Sequence, residues 1–233
     1  MLEELKRRVC EANKRLVAEG LVVQTWGNVS GLDRDAGLVV IKPSGVAYEE
    51  LTAERMVAVS LESGQAVEAG LNPSSDTPTH LVLYRHLRGI GGVVHTHSLY
   101  STAWAQARRD IPPLGTTHAD YFHGPIPCTR TMTAEEIAGD YEANTGEVIV
   151  ARLGDADPLA LPGALVADHG PFAWGRTPEQ AVENAVVLEH LAHLATMTAI
   201  INPYPKSISR ELLDKHYFRK HGKDAYYGQR DRA

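Results

Sequence analysis

The run Gly91-Gly92-Val93-Val94-His95-Thr96-His97-Ser98 constrains the fold more than any other stretch of the chain. It is apolar and β-branched, and it ends in two histidines one residue apart, the pattern of a short buried strand. Successive side chains on a strand point to opposite faces, so this spacing puts His95 and His97 on one face, able to converge on a single ion, with Thr96 turned away. Taken alone, the pair fits equally well two side chains that flank a strand end and bond to backbone or water.

The flanking segments place this strand in an alternating architecture. Leu2, Leu5, Val9, Ala12, Leu16 and Val17 recur at helical spacing, with Gly20 where a left-handed cap would sit. Gly37 to Ile41 and Met56 to Leu61 read as strands around the loop Lys42-Pro43-Ser44-Gly45. Thr77-Pro78 opens a helix through Leu81, Leu83, Tyr84 and Leu87, and Ser98 caps the next one. Thr133 to Glu136 and Thr177 to Gln180 are capping boxes, the second opening a long helix, and a last helix covers Arg210 to Lys220. Gly163 to Ala167 is a short strand that Gly170-Pro171 stops, leaving His169 at its tip. Strands alternate with helices, and neither Gly-x-Gly-x-x-Gly nor a Walker-type loop occurs. The pattern predicts one α/β domain over residues 1–233, with a central sheet and no dinucleotide site.

Composition narrows the partners. A formal charge of -6 with no basic block argues against nucleic acid. No stretch of 18 uninterrupted apolar residues occurs, and the charged N-terminal segment lacks a signal-peptide core, so no membrane partner is expected and the cytoplasm is the default compartment. Cys10 and Cys128 read as buried thiols in a reducing environment.

His169 is the natural third ligand beside His95 and His97. Three neutral imidazoles with an open position suit a catalytic divalent ion, zinc first by ligand chemistry, with manganese and cobalt as alternatives. His80, His86, His190 and His193 lie within helical patterns and read as structural or surface residues. Ser74, Ser75 and Asp76 before a helix are ordinary capping chemistry by themselves. The second loop, with Lys42, Ser44 and Gly45, adds a cation, a hydroxyl and a backbone able to approach an anion, so the two together suggest a phosphorylated substrate.

Thr25-Trp26-Gly27-Asn28-Val29-Ser30, Lys42-Pro43-Ser44-Gly45, Pro73-Ser74-Ser75-Asp76, His95-Thr96-His97 and Asp168-His169-Gly170 follow the order found in the class II aldolase/adducin superfamily. With Thr117 to Phe122, Ile126 to Arg130, His169 to Gly175 and Leu212 through Gln229, the chain resembles the L-ribulose-5-phosphate 4-epimerases nearly end to end. The resemblance implies a central, largely antiparallel sheet between helical layers and a cyclic homotetramer with active sites between subunits. It implies His95, His97 and His169 as metal ligands with Asp76 near or on the metal. Asn28, Ser44, Gly45, Ser74 and Ser75, with Gly27 and Lys42 alongside, become the phosphate and substrate contacts. Asp120 and Tyr227 become the acid/base pair, assisted by His216 from a neighbouring subunit. Two departures stand out: His123 follows Phe122 where a tyrosine is usual, and Ala167-Asp168 precedes His169 in place of histidine and serine.

The implied reaction explains these residue types. Carbon 4 of a ketopentose 5-phosphate has no acidic C–H, so inversion there requires cleavage of the C3–C4 bond and re-addition to the other face of the aldehyde. The resemblance thus implies interconversion of L-ribulose 5-phosphate and D-xylulose 5-phosphate, a step of L-arabinose catabolism. The alternatives are a class II sugar-phosphate aldolase, which usually carries a glutamate near position 76, and an adducin-like binding module, expected to lack the metal histidines.

Overall fold

The computed structural model describes residues 2–223 and 225–226. Its centre is a six-stranded sheet formed by β1 (Asn28–Asp33), β2 (Leu38–Ile41), β3 (Val57–Ser60), β4 (Gly92–His95), β5 (Gly163–Val166) and β6 (Gly170–Gly175), in the order β3-β2-β1-β4-β6-β5. Every neighbouring pair is antiparallel. The fold is therefore α/β, as the sequence pattern predicts, with the antiparallel sheet that the family resemblance implies.

Strand alternation divides the sheet between two helical layers. Val93, Phe172 and Trp174 point into a core with Leu81, Leu83 and Tyr84 of α2 (Thr77–His86) and Ile149 and Leu153 of α6 (Tyr141–Leu153). Val29, Val94 and Ala173 point to the opposite core, with Ala12 and Leu16 of α1 (Leu2–Ala18) and Ala181, Val182 and Ala185 of α7 (Pro178–Ile201). This period of two is what a sheet buried on both faces requires. A Cβ at Gly146 within α6 would lie 2.7 Å from Val82 Cβ, so the glycine permits the close approach of α6 to α2. Helix α7 is long and apolar enough to cross a membrane by length and composition; one face of it packs on β6 and β4, while Leu194, Met197, Ile200 and Ile201 are exposed. Cys10 and Cys128 are buried free thiols.

Two expectations need correction. First, β4 ends at His95, so Thr96 and His97 lie beyond the strand, and alternation along it cannot account for the pairing of the two histidines. Second, Gly170-Pro171 does not stop a strand but opens β6. Proline is tolerated because it stands near the start of β6, beside the point where β4 ends, and its carbonyl accepts from Thr96 N–H at 3.4 Å. Ala167-Asp168-His169 is therefore a tight hairpin loop between the paired residues Val166 and Gly170.

Among the described residues the remaining α-helices are α3 (Leu99–Gln106), α4 (Thr116–Ala119), α5 (Ala134–Ala138) and α8 (Arg210–His221), with short 3-10 turns at Tyr48–Glu50 and Ala53–Arg55. Buried His118 in α4 donates from Nε2 to the Gly124 carbonyl at 2.7 Å, and burial pushes its pKa down to about 4 despite that bond. A folded-state pKa below the unfolded value means that the unfolded chain binds the extra proton, so stability falls as pH drops from about 6.5 toward 4. Replacing His118 with Gln should flatten the acid limb of the pH–stability curve by up to about 1.4 kcal/mol per pH unit, measured by denaturant titration.

Candidate metal centre and substrate cavity

The three histidines arrive from two loops and one strand end. His95 closes β4, His97 precedes α3, and His169 sits in the β5–β6 hairpin. One nitrogen of each lies within 4.8 Å of the others. His95 Nε2 and His97 Nε2 are 3.1 Å apart, close to the separation of about 3.4 Å for two nitrogens on a common tetrahedral ion. The ring of His95 is held on both sides. Its Nδ1–H donates to the Pro171 carbonyl at 3.0 Å, which leaves the Nε2 lone pair outward, and Phe172 stacks beneath it at 4.2 Å.

Electrostatics suit ligation. Burial pushes all three imidazoles below the ordinary histidine pKa, so each is a neutral donor at pH 7. His169 Nδ1 is buried with no hydrogen-bond partner among the described residues. Neutral rings, convergent nitrogens and this unmatched polar atom fit a divalent ion held by His95, His97 and His169. Asp76 stands at the start of α2, and its Oδ2 accepts from Asn28 Nδ2 at 2.6 Å. Burial would raise the Asp76 carboxyl, but His95, His80, the Asn28 amide and His169 together hold it below the usual carboxylate range. It is outside the mutually close set of three donors.

These histidines open into a cavity of about 480 Å³. Gly27, Asn28, Lys42, Ser44, Gly45, Ser74, Ser75 and Asp76 line much of its remaining wall, so one space gathers residues from five separate sequence motifs. The two loops are zipped together: Ser44 N–H donates to the Asn72 carbonyl and Ser74 N–H to the Lys42 carbonyl, both at 3.0 Å. Gly27 adopts a φ of 92°, and a Cβ there would lie 2.9 Å from the His95 carbonyl oxygen, so only glycine lets this loop pass the end of β4. Tyr48 fastens the same loop, its hydroxyl donating to the Gly27 and Trp26 carbonyls.

Lys42 is the cavity's unusual group. Its side chain is buried, its Nζ reaches only the Pro43 carbonyl at 3.4 Å and the Tyr48 ring at 4.9 Å, and no carboxylate pairs with it among the described residues. Burial pushes the ammonium below the usual lysine range. Asn28 commits its amide to Ser74 Oγ and Asp76, while its buried Oδ1 has no partner among the described residues. Together these are an unneutralised cation and an unmatched acceptor, the complement of a phosphate and a hydroxyl.

Asp120 and His216 do not line the cavity. They meet where α4 packs on α8, with His216 Nδ1 3.1 Å from Asp120 Oδ1. Arg219 grips the same carboxylate through both oxygens, and Lys220 Nζ lies at 3.6 Å. Burial would raise the Asp120 carboxyl, but Arg219, His216 and Lys220 hold it below its usual value, so it stays ionised at neutral pH. Tyr227 lies outside the described residues. His123 joins α8 instead of the imidazole cluster, bonding to Asp214 at 2.6 Å and stacking on Tyr217.

Thr25, Trp26 and Pro43 line the cavity although the sequence motifs that contain them assign them no role, and Phe172 supports His95 without having been singled out. Trp26 is half exposed at the cavity wall, its ring 6.2 Å from that of His97; an aromatic beside a loop glycine was its only local signal. The supporting role of Phe172 was masked by reading Pro171 as a strand stop.

A family model for the class II aldolase and adducin N-terminal domain matches residues 7–196. Among solved structures, an L-fuculose 1-phosphate aldolase is similar over 94% of this chain and 96% of its own, with 23% identity and a TM-score of 0.79. YgbL from Klebsiella pneumoniae is similar over 92% of this chain and 98% of its own, with 23% identity and a TM-score of 0.73. The L-fuculose-1-phosphate aldolase from Thermus thermophilus is similar over 88% of this chain and all of its own, with 23% identity and a TM-score of 0.66. At these identities the likeness shows the fold.

Proposed function

The chain belongs to the class II aldolase and adducin N-terminal domain family, and from that premise we propose that it is a metal-dependent L-ribulose-5-phosphate 4-epimerase in which residues 1–233 form one catalytic domain. The observation that carries the proposal is the sharing of one cavity by three neutral, convergent imidazoles and an unpaired buried lysine between two hydroxyl-bearing loops. A metal at one part of the cavity and a phosphate at another match the two ends of a ketopentose 5-phosphate. The aspartate at position 76, the Asp120–His216 pair and the Tyr226-Tyr227 tail favour the epimerase over an aldolase.

The ion, when bound, supplies Lewis-acid stabilisation of typically several kcal/mol to negative charge on the substrate's C2 and C3 oxygens. The chain's own residues do the rest. Ser44, Gly45, Ser74, Ser75 and Lys42 grip the phosphate, and Asn28 Oδ1 accepts from a substrate hydroxyl. Asp120, ionised at neutral pH, removes the proton from the C4 hydroxyl as the C3–C4 bond breaks, giving a dihydroxyacetone enediolate and glycolaldehyde phosphate. The aldehyde turns its other face to C3, the bond reforms, and Tyr227 protonates the new C4 alkoxide; in the reverse direction the two roles exchange. The phosphate grip keeps the aldehyde from escaping, which would turn epimerisation into cleavage. In this reading Asp120 and His216 serve a neighbouring subunit in a homotetramer with sites at its interfaces, which is supported by their lying outside the cavity of their own chain.

The test is to supply metal-loaded protein with L-ribulose 5-phosphate and follow D-xylulose 5-phosphate and free glycolaldehyde phosphate, with a chelated control. Chelator-sensitive xylulose phosphate with little free aldehyde is expected. Predominant aldehyde release would replace the epimerase with an aldolase, and silence in both channels would reject this substrate. Lys42→Met should raise KM for the phosphorylated substrate by about tenfold or more, with a smaller change in kcat, in steady-state kinetics.

A further inference from the structure

The three imidazoles are not held alike. His95 is fixed by a hydrogen bond and a stacked ring, whereas the ring of His169 makes no hydrogen bond among the described residues and has a buried, unmatched Nδ1. Its ring touches only other rings, those of His95 at 4.7 Å, His97 at 5.1 Å, and Tyr141 and Phe172 at 6.2 Å among the described residues, so with no hydrogen bond to pin it the backbone of the β5–β6 hairpin sets where it stands. That hairpin is unusual at Asp168, where φ is 64°. Arg108, just past the end of α3, has a φ of 55°; with Gln24 these are the non-glycine residues with positive φ among the described residues. Arginine rarely adopts this conformation.

These two left-handed residues face each other. Arg108 Nε donates to Asp168 Oδ1 at 2.9 Å. The Ala105 carbonyl in the last turn of α3 accepts from Asp168 N–H at 3.1 Å and from Arg108 N–H at 3.0 Å. The other end of α3 begins two residues after His97, past the N-cap Ser98, and there Glu189 of α7 accepts from Tyr100 N–H and Ser101 N–H at 2.8 and 2.9 Å. Helix α3 is thus anchored at both ends, one beside His97 and the other to the turn that carries His169.

We infer that Arg108 and Asp168 are positioning residues for the metal ligand His169: their ion pair, docked on the Ala105 carbonyl, locks the hairpin to α3 and so sets the separation of His169 from His97. The inference rests on the proposed metal centre. Both side chains are about half exposed, so the pair contributes little to global stability, and its effect should appear in ligand geometry.

The experiment measures Zn²⁺ affinity by chelator competition and the Co²⁺ ligand-field spectrum for the full-length wild type, Arg108→Ala, Asp168→Gly, and the swap R108D with D168R. The unfolding temperature of each metal-free protein is recorded alongside. Arg108→Ala and Asp168→Gly are expected to weaken Zn²⁺ binding by about tenfold and to alter the Co²⁺ spectrum. Their metal-free unfolding temperatures should stay within about 2 °C of wild type. Glycine relieves the left-handed turn, so a loss in Asp168→Gly is attributable to the missing pair, and the swap should recover part of it. Affinities within twofold of wild type would overturn the inference, as would losses matched by destabilisation of the metal-free protein. If wild type itself binds neither ion, the metal centre fails and the inference fails with it; binding by wild type with unchanged variants defeats the inference alone.

Discussion

Protein carrying His97→Ala should purify without stoichiometric metal and lose roughly a thousandfold or more in turnover, while remaining folded. His97 is the informative ligand to remove because it is the exposed member of the three, whereas His95 is buried against Phe172 and bonded to Pro171. Truncating His95 would open a cavity and strip a partner from a buried carbonyl, confounding metal loss with unfolding. Truncating His97 removes one donor at little cost to the core. Two imidazoles, His95 and His169, would remain, and two ligands are insufficient for a structurally retained ion. Elemental analysis after dialysis checks the first half of the expectation and steady-state turnover the second. Full metal occupancy in the variant would remove His97 from the centre, whatever the effect on rate.

The parts of this fold legible in the sequence are those specified by local chemistry. Helices α2 and α7 begin where threonine is followed by proline, and β2 and β3 are short apolar runs bounded by turns. The parts that were not legible depend on distant chain. β1 reads Asn-Val-Ser-Gly-Leu-Asp, a poor strand by propensity, and it forms because β2 and β4 pair with its two edges. Its Gly31 is a packing site, since a Cβ there would meet Leu5, Val9 and Pro178 at 2.8 to 2.9 Å. The site shows the same division. The histidines could be picked out by spacing and by strand ends, yet the alternation argument for pairing His95 with His97 fails because β4 ends between them. They converge because the chain turns toward α3 after Thr96, a tertiary event that no periodicity encodes. Lys42 could be picked out as a cation in a glycine-containing loop, but its burial without a carboxylate partner emerges only when the two loops zip together. The meeting of Asp120 with α8 links positions about a hundred residues apart, and only the family resemblance had singled them out.

Asp120→Asn should lower turnover by about 10²- to 10⁴-fold with metal content unchanged, because it removes a proton acceptor without touching the imidazoles. The substitution also leaves Arg219 and Lys220 beside a neutral amide, so a modest loss of stability at the contact between α4 and α8 should accompany it. Rate loss alone would not distinguish an acid/base role from a local collapse. Mixing does. If Asp120 acts in the cavity of a neighbouring subunit, then His97→Ala and Asp120→Asn are defects in different halves of one site. Each is inactive as a pure oligomer, but after subunits are dissociated and reassembled together, a site is competent when its metal half comes from an Asp120→Asn chain and its carboxylate from a His97→Ala chain. Random assembly of equal amounts makes this true of about one site in four, so mixed oligomers should recover about a quarter of wild-type turnover. No recovery from a mixture verified to contain both chains would place Asp120 outside the neighbour's site.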